Sequence, residues 1–201
     1  MKHSPKRTLS LVQPNRKAIP PPLRYYDPEL QDALNVEPFD EDRLQRARAK
    51  AVRLNSAYLE EISGLAPRLS RRTFSKFSDP RQPLFDSDLL EFAFGDSLGY
   101  PVTTKGRQRT LMMAVRAAFR SFNEKLIHVL TYSDVDSLSV NVPAETWYAR
   151  CGKKRIDCLL ADELTSVDSG LMSHAFLFVS GASVSITFER VRWETKRDSS
   201  Q

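Results

Sequence analysis

At Leu126 the apolar rhythm of the chain changes from helical spacing to strict alternation, and this switch limits the fold more than any other feature. Beyond it, residues 126–132, 137–142, 146–151, 155–161, 175–180 and 183–194 are rich in β-branched and aromatic side chains and predict strands. Cys151-Gly152-Lys153-Lys154-Arg155 predicts a tight hairpin joint, and residues 165–170 a loop. Upstream the pattern is helical. Asp40 is a candidate N-cap with Glu41 and Asp42 in the first turn, followed by a stripe of Leu44, Ala47, Ala51, Leu54 and Tyr58. Gly64 and Pro67 end that helix, and residues 65–84 predict an irregular basic stretch. A short helix is predicted from about Ser87 to Gly95–Gly99. A longer one is predicted over 109–125, with Leu111, Val115, Ala118, Phe122 and Leu126 on its apolar stripe.

The expected class is therefore α+β, or α/β if some strands run parallel: a mixed β-sheet in the C-terminal half packed by amphipathic helices. Three regions are expected: a disordered, basic, Pro-rich arm over 1–38, a basic helical region over 39–84, and a helix-plus-sheet domain over 85–201.

Charge separates the ends of the chain. The net charge is +5, and residues 1–26 carry six Lys and Arg without one acid. Such an arm suits nucleic acid, an anionic membrane surface or nuclear import. No apolar run reaches the roughly 20 residues of a bilayer span, and the N-terminus lacks the apolar core of a secretory signal. Two cysteines, Cys151 and Cys158, argue against a disulfide framework. An intracellular, non-secreted setting is the expectation.

The three histidines are scattered away from the cysteines, so a zinc site is not expected. No clustered glycines form a phosphate-cradling loop, and no nucleophile elbow is present. What remains is a pair of acids and a lysine. Asp157 lies in the run "KKRIDCLL", where an unpaired buried charge is costly. Glu194 and Lys196 alternate on the last strand and so share a face. If the two strands are neighbours, Asp157 and Glu194 can hold a hard cation such as Mg²⁺ through oxygen ligands. Lys196 then serves an attacking water and the charge developing on a phosphate. The ordinary alternative is solvated decoration, with Asp157 paired to Lys153, Lys154 or Arg155 and Glu194 to its neighbours. Arg116 and Arg120, four residues apart, present cations to the same side.

The order "KKRIDCLL", 37 residues from Asp157 to Glu194, then "WETKRD", resembles the PD-(D/E)XK nuclease superfamily. It is most similar to the nuclease-like domain of many fungal proteins, and covers residues 85–198. The resemblance implies a central mixed sheet flanked by helices, a divalent cation and a nucleic-acid substrate. Asp157 and Glu194 would be its metal ligands, Lys196 its catalytic lysine, and Glu91 the nearest match to the acid on its first helix. Lys153, Lys154, Arg155, Arg116 and Arg120 would contact nucleic acid. Family members continue beyond this strand with another helix and strand, so a truncated, inactive relative is one expectation.

A second expectation is non-enzymatic. A basic arm, "IPPPLRYY" as a budding-like Pro-Tyr segment, and a compact helix-plus-sheet domain fit a viral matrix or coat protein. Its partners would be a membrane surface, nucleic acid or further copies of itself.

Overall fold

The computed structural model describes residues 23–34, 40–79, 81–95, 113–121, 125–142, 158–167 and 170–198. Helix α1 (Pro28–Leu34) leads into α2 (Glu41–Leu65), a 3-10 turn (Ala66–Arg68) and α3 (Arg71–Phe77). Six strands follow: β1 (Asp88–Gly95), β2 (Met113–Arg120), β3 (Leu126–Asn141), β4 (Leu159–Ser166), β5 (Met172–Phe178) and β6 (Ser183–Arg197). They form one sheet in the order β1-β2-β3-β6-β5-β4. Every pairing in it is antiparallel. The fold is a mixed α+β arrangement dominated by this sheet.

The sheet curls until its edges meet at one end. Asp88 bridges Cys158. Beside it, Asp86 N–H donates to the Leu159 carbonyl at 3.0 Å and Leu159 N–H to the Ser87 carbonyl at 2.9 Å. Midway along β3, Asp134 has φ 56°, a left-handed conformation uncommon away from glycine. The inward parity changes there, from His128, Leu130 and Tyr132 before it to Val135 after it. Arg190 of the facing strand pairs with the Asp134 carboxylate at that point.

Asp40 begins α2 as the sequence predicts, its Oδ1 accepting the Arg43 N–H at 2.9 Å. Replacing it by alanine leaves that first-turn donor without its partner. Asp40→Ala is expected to destabilise the fold by about 1 kcal/mol, read as a lower urea midpoint with an unchanged slope.

One core cluster joins helices and sheet: Tyr58, Ile62 and Leu65 of α2 and Phe77 of α3 pack with Phe119, Leu130, Tyr132, Phe176, Phe188 and Trp193 of the strands. A second, separate cluster contains Ala33 of α1 with Leu44 and Ala47 of α2, and Leu30 packs against it.

Three expectations need correction. Within 109–125, residues Met113–Arg120 form β2, not a helix. Both faces of that strand are buried, Val115, Ala117 and Phe119 on one and Ala114 and Ala118 on the other. A short run that is apolar on both sides carries no distinguishing period, and pairing with two neighbours overrides the helix preference of Ala, Met and Arg. The stretch from Ser87 is likewise not a helix; it becomes β1, where Leu89, Phe92 and Phe94 lie along β2. Residues 65–84 are more ordered than expected, since Ser70 caps α3 by accepting the Thr73 N–H. The candidate strand 146–151, the hairpin joint 151–155 and residues 1–22 and 35–38 of the expected disordered arm lie outside the described residues, whereas Pro28–Leu34 of that arm form helix α1.

Candidate anion-binding groove and charged sheet face

The strand register decides which candidate residues meet. Glu91 is opposite Ala118, Ala118 opposite Val129, and Val129 opposite Glu194, so the two acids stand in one row on one face. Lys196 is opposite Ile127, and Ile127 opposite Arg120. Arg116 is opposite Thr131, itself opposite Arg192. Thus Glu91, Arg116, Arg120, Glu194 and Lys196 share a face, as the two-residue alternation of strands requires. Arg116 and Arg120 keep a common side although the predicted helix is a strand, because a four-residue step returns to the same face in both.

Three ion pairs offset much of the charge on this face. Arg116 lies 3.8 Å from Glu91, Arg120 2.7 Å from Asp198, and Arg192 2.6 Å from Glu194. Lys196 is exposed. Glu91 and Glu194 are three strand spacings apart, about 14 Å at ~4.8 Å per strand, too far to share an ion. Asp157, Lys153, Lys154 and Arg155 lie outside the described residues. Cys158, next to Asp157, leads into β4, and β5 separates β4 from β6. Among the described residues no group of three or more His, Cys, Asp or Glu side chains is arranged to hold a metal ion. Glu194, engaged by a guanidinium, does not by itself fit a Mg²⁺ site.

A second set of cations lies on α2. Arg43, Arg46, Lys50 and Arg53 follow one another at three- and four-residue steps on α2, which stacks them along one side of the helix. Together with Glu29, Ala47 and Ala49 they line a groove of about 550 Å³. Among the described residues, no acid pairs with Arg43, Arg46 or Arg53. Lys50 differs: its Nζ lies 3.0 Å from Glu29 Oε2 and 3.2 Å from Asp27 Oδ2. Hydrogen bonds to Glu29 and Asp27 raise its pKa.

Two further polar clusters escaped the sequence reading. Glu163 of β4 is 4% exposed, and its two oxygens accept the N–H groups of Arg24 and Tyr25 at 2.6 and 2.7 Å. Burial pushes its pKa up, against the opposing pull of the backbone donors of Arg24, Tyr25 and Tyr26. Residues 23–27 are thereby strapped onto β4, with Leu23 buried and the Tyr25 ring against Tyr58. On the outer edge of the same strand, Leu164 N–H donates to Tyr58 Oη at 3.2 Å and Ser166 N–H to Glu61 Oε1 at 2.6 Å.

Inside the core, His174 is fully buried. Its Nδ1 is 2.6 Å from the Tyr132 hydroxyl and its Nε2 2.9 Å from Asp162 Oδ2. A neutral ring satisfies all three groups, with Nε2–H donating to the carboxylate and Nδ1 accepting from tyrosine. Burial, with Asp162 adding to it, holds the Tyr132 hydroxyl well above the ordinary phenolic pKa, so it remains a donor. Phe77, Phe176 and Tyr132 surround the imidazole ring.

The signal for Glu163 and Asp162 was present: both are acids inside the apolar run "LLADELT". The same cost of burying charge that draws attention to Asp157 applies to them.

No family model and no curated protein sequence matches the chain. Fold and surface therefore define the class: an α+β protein with an antiparallel sheet and a cationic helix groove. No helix among the described residues is long and apolar enough to cross a membrane.

Proposed function

We propose that this protein binds nucleic acid through the phosphate backbone, using the groove of α2. The carrying observation is the row Arg43, Arg46, Lys50 and Arg53 along one concave surface, three of them without an acid partner among the described residues. Guanidinium groups match phosphate oxygens in a two-pronged geometry and are less strongly hydrated than ammonium groups. A concave groove admits a strand of phosphates, whereas a flat bilayer cannot follow it inward.

The described residues offer one ion-paired carboxylate beside Lys196 and no cation site, so we derive no hydrolytic step. The sequence resemblance alone motivates testing for one.

The experiment is a titration of a mixed-sequence single-stranded DNA oligonucleotide across salt concentrations, with and without Mg²⁺. The expected result is affinity that falls steeply with salt. Replacing Arg43, Arg46 and Arg53 together by glutamine should flatten the slope of log affinity against log salt by about 2, at ~0.7 per lost phosphate contact on a single strand. An unchanged slope in that variant refutes the groove assignment. Cleavage of the oligonucleotide with Mg²⁺ that Lys196→Ala abolishes would restore the nuclease reading. Binding to anionic lipid vesicles with none to the oligonucleotide would favour the structural-protein reading.

A further inference from the structure

Lys50 sits in the middle of the cationic row, yet among the described residues it is the one member neutralised from within the chain. Both of its partners precede α2 in the chain, Asp27 just before α1 and Glu29 in the first turn of α1. Asp27 is almost entirely buried, with a side chain 4% exposed, while the Glu29 side chain is 64% exposed and lines the groove itself. An exposed carboxylate on an ammonium group is held by a weak, salt-screened attraction that another anion can replace.

The packing allows such an exchange. Helix α1 touches α2 through the small cluster of Leu30, Ala33, Leu44 and Ala47, which is separate from the main core. Only seven residues long, α1 has little helical stability of its own and depends on that cluster. The preceding strap is fastened independently by Glu163. Asp27 therefore lies at the end of a firm anchor, and Glu29 in the first turn of a lightly packed helix.

We infer that Asp27 and the first turn of α1 form a built-in competitor for the groove, with Glu29 occupying Lys50 until a phosphate displaces it. This rests on the nucleic-acid reading above. Displacement opens the groove side of Lys50, which Asp27 still holds from behind, and adds one phosphate contact. It also raises selectivity for polyanions: a single phosphate gains little by evicting Glu29, whereas a strand already seated on Arg43, Arg46 and Arg53 delivers its next phosphate to Lys50 at high local concentration.

The test compares wild type with Glu29→Gln, a surface change that leaves the fold in place, using the same single-stranded oligonucleotide. Glu60→Gln, on the exposed side of α2 away from Lys50, supplies an equal change in net charge. Glu29→Gln is expected to tighten binding by about two- to five-fold, with Glu60→Gln near wild type. In the Glu29→Gln background, Lys50→Gln should remove the gain, while in the wild-type background it should change affinity less. Equal tightening by Glu29→Gln and Glu60→Gln overturns the competitor, because long-range charge alone would explain it. Binding by wild type with no gain in Glu29→Gln also overturns it and leaves the nucleic-acid reading standing. Absence of binding by both proteins overturns the two together.

Discussion

Replacing His174 by alanine is expected to destabilise the protein by about 3–5 kcal/mol, enough to consume much of the margin by which a domain of this size stays folded. Two losses combine. The ring fills space between Phe77, Tyr132 and Phe176, and its removal leaves a cavity that these aromatics cannot close. The Tyr132 hydroxyl, fully buried, and Asp162 each lose their hydrogen-bond partner. Urea unfolding followed by fluorescence measures the total. A cycle then separates the parts: His174→Phe keeps a ring but orphans the Tyr132 hydroxyl, whereas Tyr132→Phe with His174→Phe removes donor and acceptor together. The double variant should be less destabilised than the two single changes summed. Strict additivity would mean that the 2.6 Å contact between the hydroxyl and Nδ1 contributes nothing of its own.

The second large effect concerns Glu163. Its carboxylate accepts from two consecutive backbone donors, Arg24 and Tyr25, one on each oxygen. In Glu163→Gln one oxygen becomes an NH₂ group, so a donor faces a donor. The expected cost is about 1–3 kcal/mol, and it falls locally: the strap detaches while the sheet stays folded. Trypsin cleavage after Arg24 should accelerate strongly, and amide protons of residues 24–26 should lose protection from exchange. Unaltered cleavage would show that Leu23 and Tyr25 hold the strap by packing alone.

Glu163 also predicts a direction in pH. Its pKa is raised above the ordinary 4.5, so the folded state keeps this proton in a window where the unfolded state has released it. By linkage, its contribution to stability is greatest at and below the ordinary value and falls as pH rises through the window toward the raised value. Glu61 acts oppositely. Hydrogen bonds from Ser166 lower its pKa, so its contribution is present above the ordinary value and is lost as pH falls through the lowered one. Glu163→Gln should therefore remove the component on the high side of 4.5 and leave the acid-side loss intact.

The sequence carried the long helix from Asp40 and most of the later strands, because their patterns were long and faced one core surface. It misplaced β2, since Ala114, Val115, Ala117, Ala118 and Phe119 are apolar on both sides and satisfy either period. Glu194 and Lys196 were correctly given a common face, which alternation alone ensures. Their neighbours were not legible: that Arg192 would engage Glu194, or that β5 would separate β4 from β6, depends on strand order. The basic character of the helical region 39–84 was visible, but the groove depends on where α1 folds back. Glu29 and Asp27 meet Lys50 across more than 20 positions of sequence, a separation over which no local pattern reports.

The edge of β4 has a consequence for how the chain behaves in company. A strand at the margin of a sheet exposes donors that can template a neighbouring molecule. Here α2 caps alternate donors of that margin with side chains, Tyr58 on Leu164 N–H and Glu61 on Ser166 N–H. A helix thereby supplies the acceptors that an intruding strand would bring. Loss of these two acceptors, by Tyr58→Phe and Glu61→Ala, would first appear as concentration-dependent aggregation, in a protein whose isolated molecules still fold.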